Sequence, residues 1–210
     1  MNTQTANLDL LAERTARYAR YSLSAGGLST VLGGILLLVA FTLNAFAELG
    51  PALRTLLAAT PAIWLIAKEL LRRHYYQRHG AVQQQPTRTE RRAHFWGVVY
   101  LAAVALFVLG VMIAAMLRDG RAPGGPLLGY MALVILLPFA AWRWFWSVSD
   151  FLVGVLLFCQ SAIVIGGGNY PAIWLPYIAA CTAVAVFYGW REHRDYLALR
   201  AELAGEADGP

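Results

Sequence analysis

The chain has 210 residues, of which 59 % are apolar and only 14 % charged, against roughly 25 % charged in a soluble domain. So much apolar content excludes intrinsic disorder, and two cysteines, Cys159 and Cys181, exclude a disulfide scaffold. What is left is an all-α, polytopic integral membrane protein, because lipid offers the backbone no hydrogen-bond partners and helices supply their own.

Residues 1–25 read as a cytoplasmic N-terminal segment. Over 8–23, Leu8, Leu11, Thr15, Tyr18 and Ser22 share one helix face, and Glu13 lies four residues before Arg17, which predicts a short amphipathic helix. Its apolar face is narrow for a surface binder, so continuation of the first span is the simpler reading. The transmembrane domain is expected over 26–192. A crossing takes about 20 mostly apolar residues, and six stretches qualify: 28–47, 52–71, 95–117, 127–145, 151–166 and 172–190. Pro61 falls inside the second and Pro138 inside the fourth; both are tolerated where neighbouring helices satisfy the freed carbonyls. Residues 193–210 complete the chain as a cytoplasmic tail. The predicted fold is thus a six-helix bundle.

Local signals mark the helix ends. Thr87-Arg88-Thr89-Glu90 is a capping box ahead of the third span. Ser149 or Asp150 is placed to cap the fifth. Gly80 and Gly205 suit helix ends after basic last turns, and Gln83-Gln84-Gln85-Pro86 reads as a spacer. Ala45-Phe46-Ala47 imitates a signal cleavage site, but the apolar run before it is too long and too far from the start.

The basic residues orient the chain. Arg14, Arg17 and Arg20 precede the first span. Lys68, Arg72, Arg73, Arg78, Arg88, Arg91 and Arg92 surround the loop after the second. Arg143 follows the fourth, and Arg191, Arg194 and Arg200 follow the sixth. Six spans place all of these on one side, leaving Arg54, Arg118 and Arg121 on the other. The positive-inside rule therefore puts both termini in the cytoplasm. The net charge of +5 is then a topology signal, and nucleic acid is not needed to explain it. One Lys beside sixteen Arg, with abundant Ala, is residue usage expected of a GC-rich bacterial genome and hence of a bacterial inner membrane.

Few residues carry chemistry. Lys68 and Glu69 fall near the inner end of the second span, beside water. Arg143 and Asp150 flank the turn between spans four and five, where a pairing across the turn is expected to fix the hairpin. No Asp or Glu falls at a midplane, which argues against an ion-coupled transporter. Cys159 and Gln160 in span five match Cys181 and Thr182 in span six by depth, so these four form the candidate mid-membrane polar site, with Gln160 the natural interhelical hydrogen-bonding residue. Two thiols do not make a metal site. No catalytic or nucleotide motif is present, so neither catalysis, cofactor nor metal is expected. Gly26, Thr30 and Gly34 form a small-residue ridge on span one, and Ala103, Gly110 and Ala114 a similar one on span three; such ridges let helices approach closely, within the chain or in a homo-oligomer. Pro61-Ala62-Ile63-Trp64-Leu65 recurs as Pro171-Ala172-Ile173-Trp174-Leu175, but at different membrane depths, as chance repetition would give.

The outer loops are short and the inner face carries most of the polar residues. The expected function is accordingly non-enzymatic. Arg17, Arg20, Arg72, Arg73, Arg91, Arg92, Arg191 and Arg194 would form a surface for lipid headgroups or for a partner protein, such as a regulator or a transporter subunit. The alternative is a small-solute transporter or channel that works through the mid-membrane polar residues.

Overall fold

The computed structural model describes residues 27–76, 88–118, 125–168 and 171–207. Among them there is no strand, and the elements run α1 (Leu28–Phe46), α2 (Pro51–Ala58), α3 (Thr60–Leu71) with a π turn (Arg72–Tyr76), α4 (Arg88–Arg118), α5 (Gly125–Trp144), α6 (Val148–Ile165), a 3-10 turn (Ala172–Trp174) and α7 (Leu175–Ala207). Five of these helices, α1, α4, α5, α6 and α7, are long and apolar enough to cross a membrane. The chain is a multi-pass membrane protein. The predicted amphipathic helix over 8–23, the capping box at Thr87 and the spacer over 83–86 lie outside the described residues.

The second stretch departs from the single helix expected over 52–71. It is two helices of eight and twelve residues joined at Ala59, whose backbone stays right-handed (φ −83°, ψ −3°). The cause is Pro61, which has no amide hydrogen to give the carbonyl of Leu57 and whose ring crowds it. The result is a kinked rod rather than an unwound segment, since the backbone bonds Ala59 N to Thr55 O and Ile63 N to Ala59 O, both 3.0 Å, continue through it.

Helix α1 is the axis of the bundle. It packs most extensively against α7, then against α6 and α3. Small residues make this approach possible. Gly27 has φ +81°, a conformation that favours glycine, and a Cβ there would overlap the carbonyl of Gly189 on α7. A Cβ on Gly33 would meet the Trp64 indole and come within 2.6 Å of Val153, and one on Gly34 would come within 2.9 Å of Val186. Of the ridge read from Gly26, Thr30 and Gly34, Thr30 and Gly34 lie against neighbours, and Gly26 lies outside the described residues. The ridge on span three does not: Ala103, Gly110 and Ala114 are exposed, and a Cβ on Gly110 would meet nothing within 4 Å. Helix α4 packs chiefly on α5, and its small residues lie on its open face.

Leu37, Phe41, Trp64, Phe145, Val153 and Leu157 form the buried centre. Helix α6 is capped by Ser147 in an extended conformation (φ −114°, ψ 158°), whose hydroxyl accepts from the amide of Asp150 at 3.1 Å; the cap lies earlier than the Ser149 or Asp150 expected from sequence. Helix α7 continues past Gly205 to Ala207, so that glycine does not end it. At 33 residues it is about 50 Å long, well beyond the length of a crossing.

Candidate functional site

At the end of the bundle that carries Lys68, Arg72, Arg143 and Arg191, here the basic end, polar side chains from four helices turn inward. On α3 the buried residues Thr60, Pro61, Trp64 and Lys68 fall on one stripe at helical spacing, which carries the lysine into the bundle instead of toward water. On α6, Asp150 sits in the first turn, where the positive end of the helix dipole favours a carboxylate. The two meet: Lys68 Nζ lies 2.5 Å from Asp150 Oδ2, with side chains 1 % and 0 % exposed. Thr30 of α1 donates to Asp150 Oδ1 at 3.2 Å. The Trp64 ring lies 5.5 Å from the ammonium, and its Nε1–H donates to Ser29 O at 2.8 Å.

This arrangement overturns the pairing of Arg143 with Asp150 expected from the turn. Arg143 is exposed and lies over the Trp144 ring at 5.9 Å, while Asp150 looks into the bundle and pairs with Lys68. Nor is Lys68 beside water. Glu69, its neighbour, does face the boundary and takes both Arg72 and Arg73 at 2.7 Å. Trp144 also donates to Glu69, at 3.3 Å.

A second carboxylate stands beside the buried pair. Glu192, on α7 just past its apolar stretch, is coupled by charge to both Asp150 and Lys68. It accepts from Ser149 Oγ at 3.4 Å, and Ser149 contacts Ser147 Oγ at 2.9 Å. Burial, and then the charge of Asp150, raise its carboxyl from the ordinary 4.5 to about 7. Beneath it an aromatic layer closes the end of the bundle: Tyr76 and Tyr196 are fully buried and stack edge to face at 4.7 Å. Tyr76 Oη pairs with His193 Nδ1 at 3.0 Å. Burial raises the Tyr76 phenol above its usual range, so it stays protonated as a donor. His193 is thus inside the bundle, while His74 and Asp195 at the same end are exposed.

The four candidate mid-membrane residues do not converge. Gln160 is fully buried and bonds to Thr60 of α3 at 3.0 Å. The Thr60 hydroxyl, whose one hydrogen is shared with Gln160 Oε1, also faces Leu57 O at 2.8 Å, the carbonyl that Pro61 leaves without an amide, and Ser161 donates to Ala58 O at 2.5 Å. These polar groups repair a kink. Cys159, one residue from Gln160, points the other way into an apolar cleft of about 160 Å³ between α4, α5 and α6, lined by residues such as Leu101, Val108, Leu137 and Phe158. Cys181 is half-buried and Thr182 buried, with the Thr182 methyl against Gly34 of α1. The reason the depth match fails to bring them together is that α1 lies between: α6 and α7 each pack more on α1 than on one another.

Among the surface arginines singled out, Arg72 and Arg73 are held by Glu69, whereas Arg91, Arg92, Arg191 and Arg194 are exposed. Arg17 and Arg20 lie outside the described residues. No group of three His, Cys, Asp or Glu gathers as a metal set among the described residues. What sequence reasoning missed is the Lys68–Asp150–Glu192 cluster. The available signal was the stripe of Pro61, Trp64 and Lys68, which places the lysine on the same face as the buried tryptophan. No family model matches this chain, and neither the curated proteins nor the solved structures compared with it give a match.

Proposed function

We propose that this is a six-span protein of a bacterial inner membrane, with α2 and α3 together forming the second crossing and both termini in the cytoplasm, and that it acts without catalysis by docking a partner protein on its basic end. One observation carries the reading. Helix α7 runs on unbroken beyond Trp190, with Gly189, His193 and Tyr196 buried along one side and Arg191, Arg194 and Leu197 exposed on the other. Tertiary packing thus holds a charged helical face rigidly outside the membrane, which lowers the ordering cost of binding. The partner would be a regulator or a transporter subunit, and lipid headgroups would meet the flanking arginines. The alternative, a solute pathway through Gln160, Cys159, Cys181 and Thr182, has less to rest on, because those side chains diverge.

Two experiments test this. A photo-crosslinking residue at Leu197 is expected to yield a discrete protein adduct that disappears in R191E/R194E, while the same residue at Phe107, exposed on α4, yields only lipid adducts. Lipid adducts alone at both positions would refute partner docking. For sidedness, a fluorescent reporter fused after Pro210 should be active and a phosphatase reporter silent; the opposite result reverses the topology.

A further inference from the structure

The buried cluster at the basic end holds one ammonium and two carboxyl groups. Lys68 and Asp150 satisfy each other at 2.5 Å, and Thr30 completes Asp150 at 3.2 Å. Glu192 is left over. Its Oε1 takes a single long hydrogen bond, 3.4 Å from Ser149, and its Oε2 is buried with no hydrogen-bond partner among the described residues. An ionised carboxylate so poorly solvated, next to a second carboxylate whose cation is already committed, is costly, and such a group ordinarily takes up a proton instead.

The other charged and titratable groups around it do not change this balance. From α3 come Lys68, spent on Asp150; Arg72, paired with Glu69; and Tyr76, a neutral phenol. From α6 comes Asp150 and from α7 itself Asp195 and His193, the first of like charge and the second paired to Tyr76. At the start of α1, Gly27 stands against Glu192, where an added Cβ would come within 3.0 Å of the Glu192 Cβ, and it has no titratable group.

We propose that Glu192 is a proton-binding site, a carboxylic acid in the resting protein, which exchanges its proton with the basic face through the hydroxyls of Ser149 and Ser147. In the protonated form the carboxyl donates to Ser149 Oγ, Ser149 donates to Ser147 Oγ at 2.9 Å, and half-buried Ser147 reaches the surface. On release the hydroxyl chain reverses: a proton leaves from Ser147, and Ser149 donates to the new carboxylate. That carboxylate then competes with Asp150 for Lys68, at the point where α1 and α7 touch through Gly27 and Gly189. This is a property of the cluster and holds whether or not a partner docks on α7.

The sign follows from linkage. The folded state holds the proton more tightly than the unfolded chain, so the contribution of Glu192 to stability is complete below about pH 4.5 and is lost as pH rises to about 7. Within that window the apparent folding constant should fall by up to about tenfold per pH unit on account of this residue. The experiment is thermal melting of the full-length protein in mild detergent across this range, for wild type, E192Q and D150N, with infrared detection of protonated carboxyl groups. E192Q is expected to lose this component of the slope and a carboxylic-acid band seen in wild type near pH 6. D150N, which frees Lys68 to hold Glu192 as a carboxylate, is expected to lose the same band. Parallel pH profiles for wild type and E192Q, or an identical carboxylic-acid band in the two, would overturn the proposal.

Discussion

Helices α1 and α4 are both long apolar rods, yet they live in different surroundings. Along α1 nearly half of the residues are buried, and these include Ser29, Thr30, Gly33, Gly34 and Asn44. None of the apolar stretch of α4 is buried, and its large side chains, among them Tyr100, Leu106 and Phe107, are exposed. Hydrophobicity does not separate the two, because lipid tails are as apolar as a leucine core and give no driving force for sequestering one apolar side chain over another. What separates them is the placement of small and polar residues against a neighbour. In α1 they meet Trp64, Val153, Asp150 and Gly189; in α4 a Cβ added at Gly97 or Gly110 would meet nothing within 4 Å.

That contrast is open to attack by substitution. The largest effect is expected at the buried ion pair. Asp150→Leu alone leaves Lys68 without its counter-ion inside the bundle and should cost about 3–5 kcal/mol, whereas the double variant Lys68→Met with Asp150→Leu should recover most of that loss; detergent unfolding of the single and double variants checks it. Next comes the pair of glycines. Gly33→Leu forces the Trp64 indole and Val153 apart and should cost at least about 1–3 kcal/mol, while Gly110→Leu on α4 should stay within about 0.5 kcal/mol of wild type. Equal effects at the two glycines would erase the distinction between axis and periphery. A smaller loss is expected at the kink: Gln160→Leu removes the bond to Thr60 and should cost about 0.6–2 kcal/mol, read from the same melting curves.

The repeated pentapeptide makes a similar point within one molecule. Trp64, in the first copy, is fully buried and donates to Ser29 O; Trp174, in the second, ends the 3-10 turn and is 52 % exposed. Identical residues acquire different roles because Pro61 kinks the middle of a packed rod whereas Pro171 opens a helix at the bundle end. The local string carries no information about which neighbour will arrive.

The same limit explains which parts of the site were legible. Gln160 stands out as an interhelical hydrogen-bonding residue because an amide in lipid has few other options, and it does bond across helices. Its partner, Thr60, is a hundred residues away, beyond the reach of any local pattern. Depth along adjacent helices groups Cys181 and Thr182 with it, but depth gives the height of a residue and neither the rotation of its helix nor what lies between. Nearness in sequence points Asp150 to Arg143; Lys68, 82 residues earlier, takes it because α3 and α6 run side by side.

Composition and residue order were sufficient to establish a helical membrane protein, the apolar runs that become helices and the crowding of arginine at one end, since each of these depends on the exchange of a segment between water and lipid and needs no knowledge of neighbours. Only the tertiary structure decided that α1 is the axis and α4 the rim, that the second run is a kinked rod repaired by Thr60 and Ser161, and that Lys68, Asp150 and Glu192 share one buried site. Those outcomes depend on close approach between distant helices, where a missing Cβ, a single hydroxyl or one ammonium group selects the partner, and a one-dimensional pattern of apolar residues does not encode that choice.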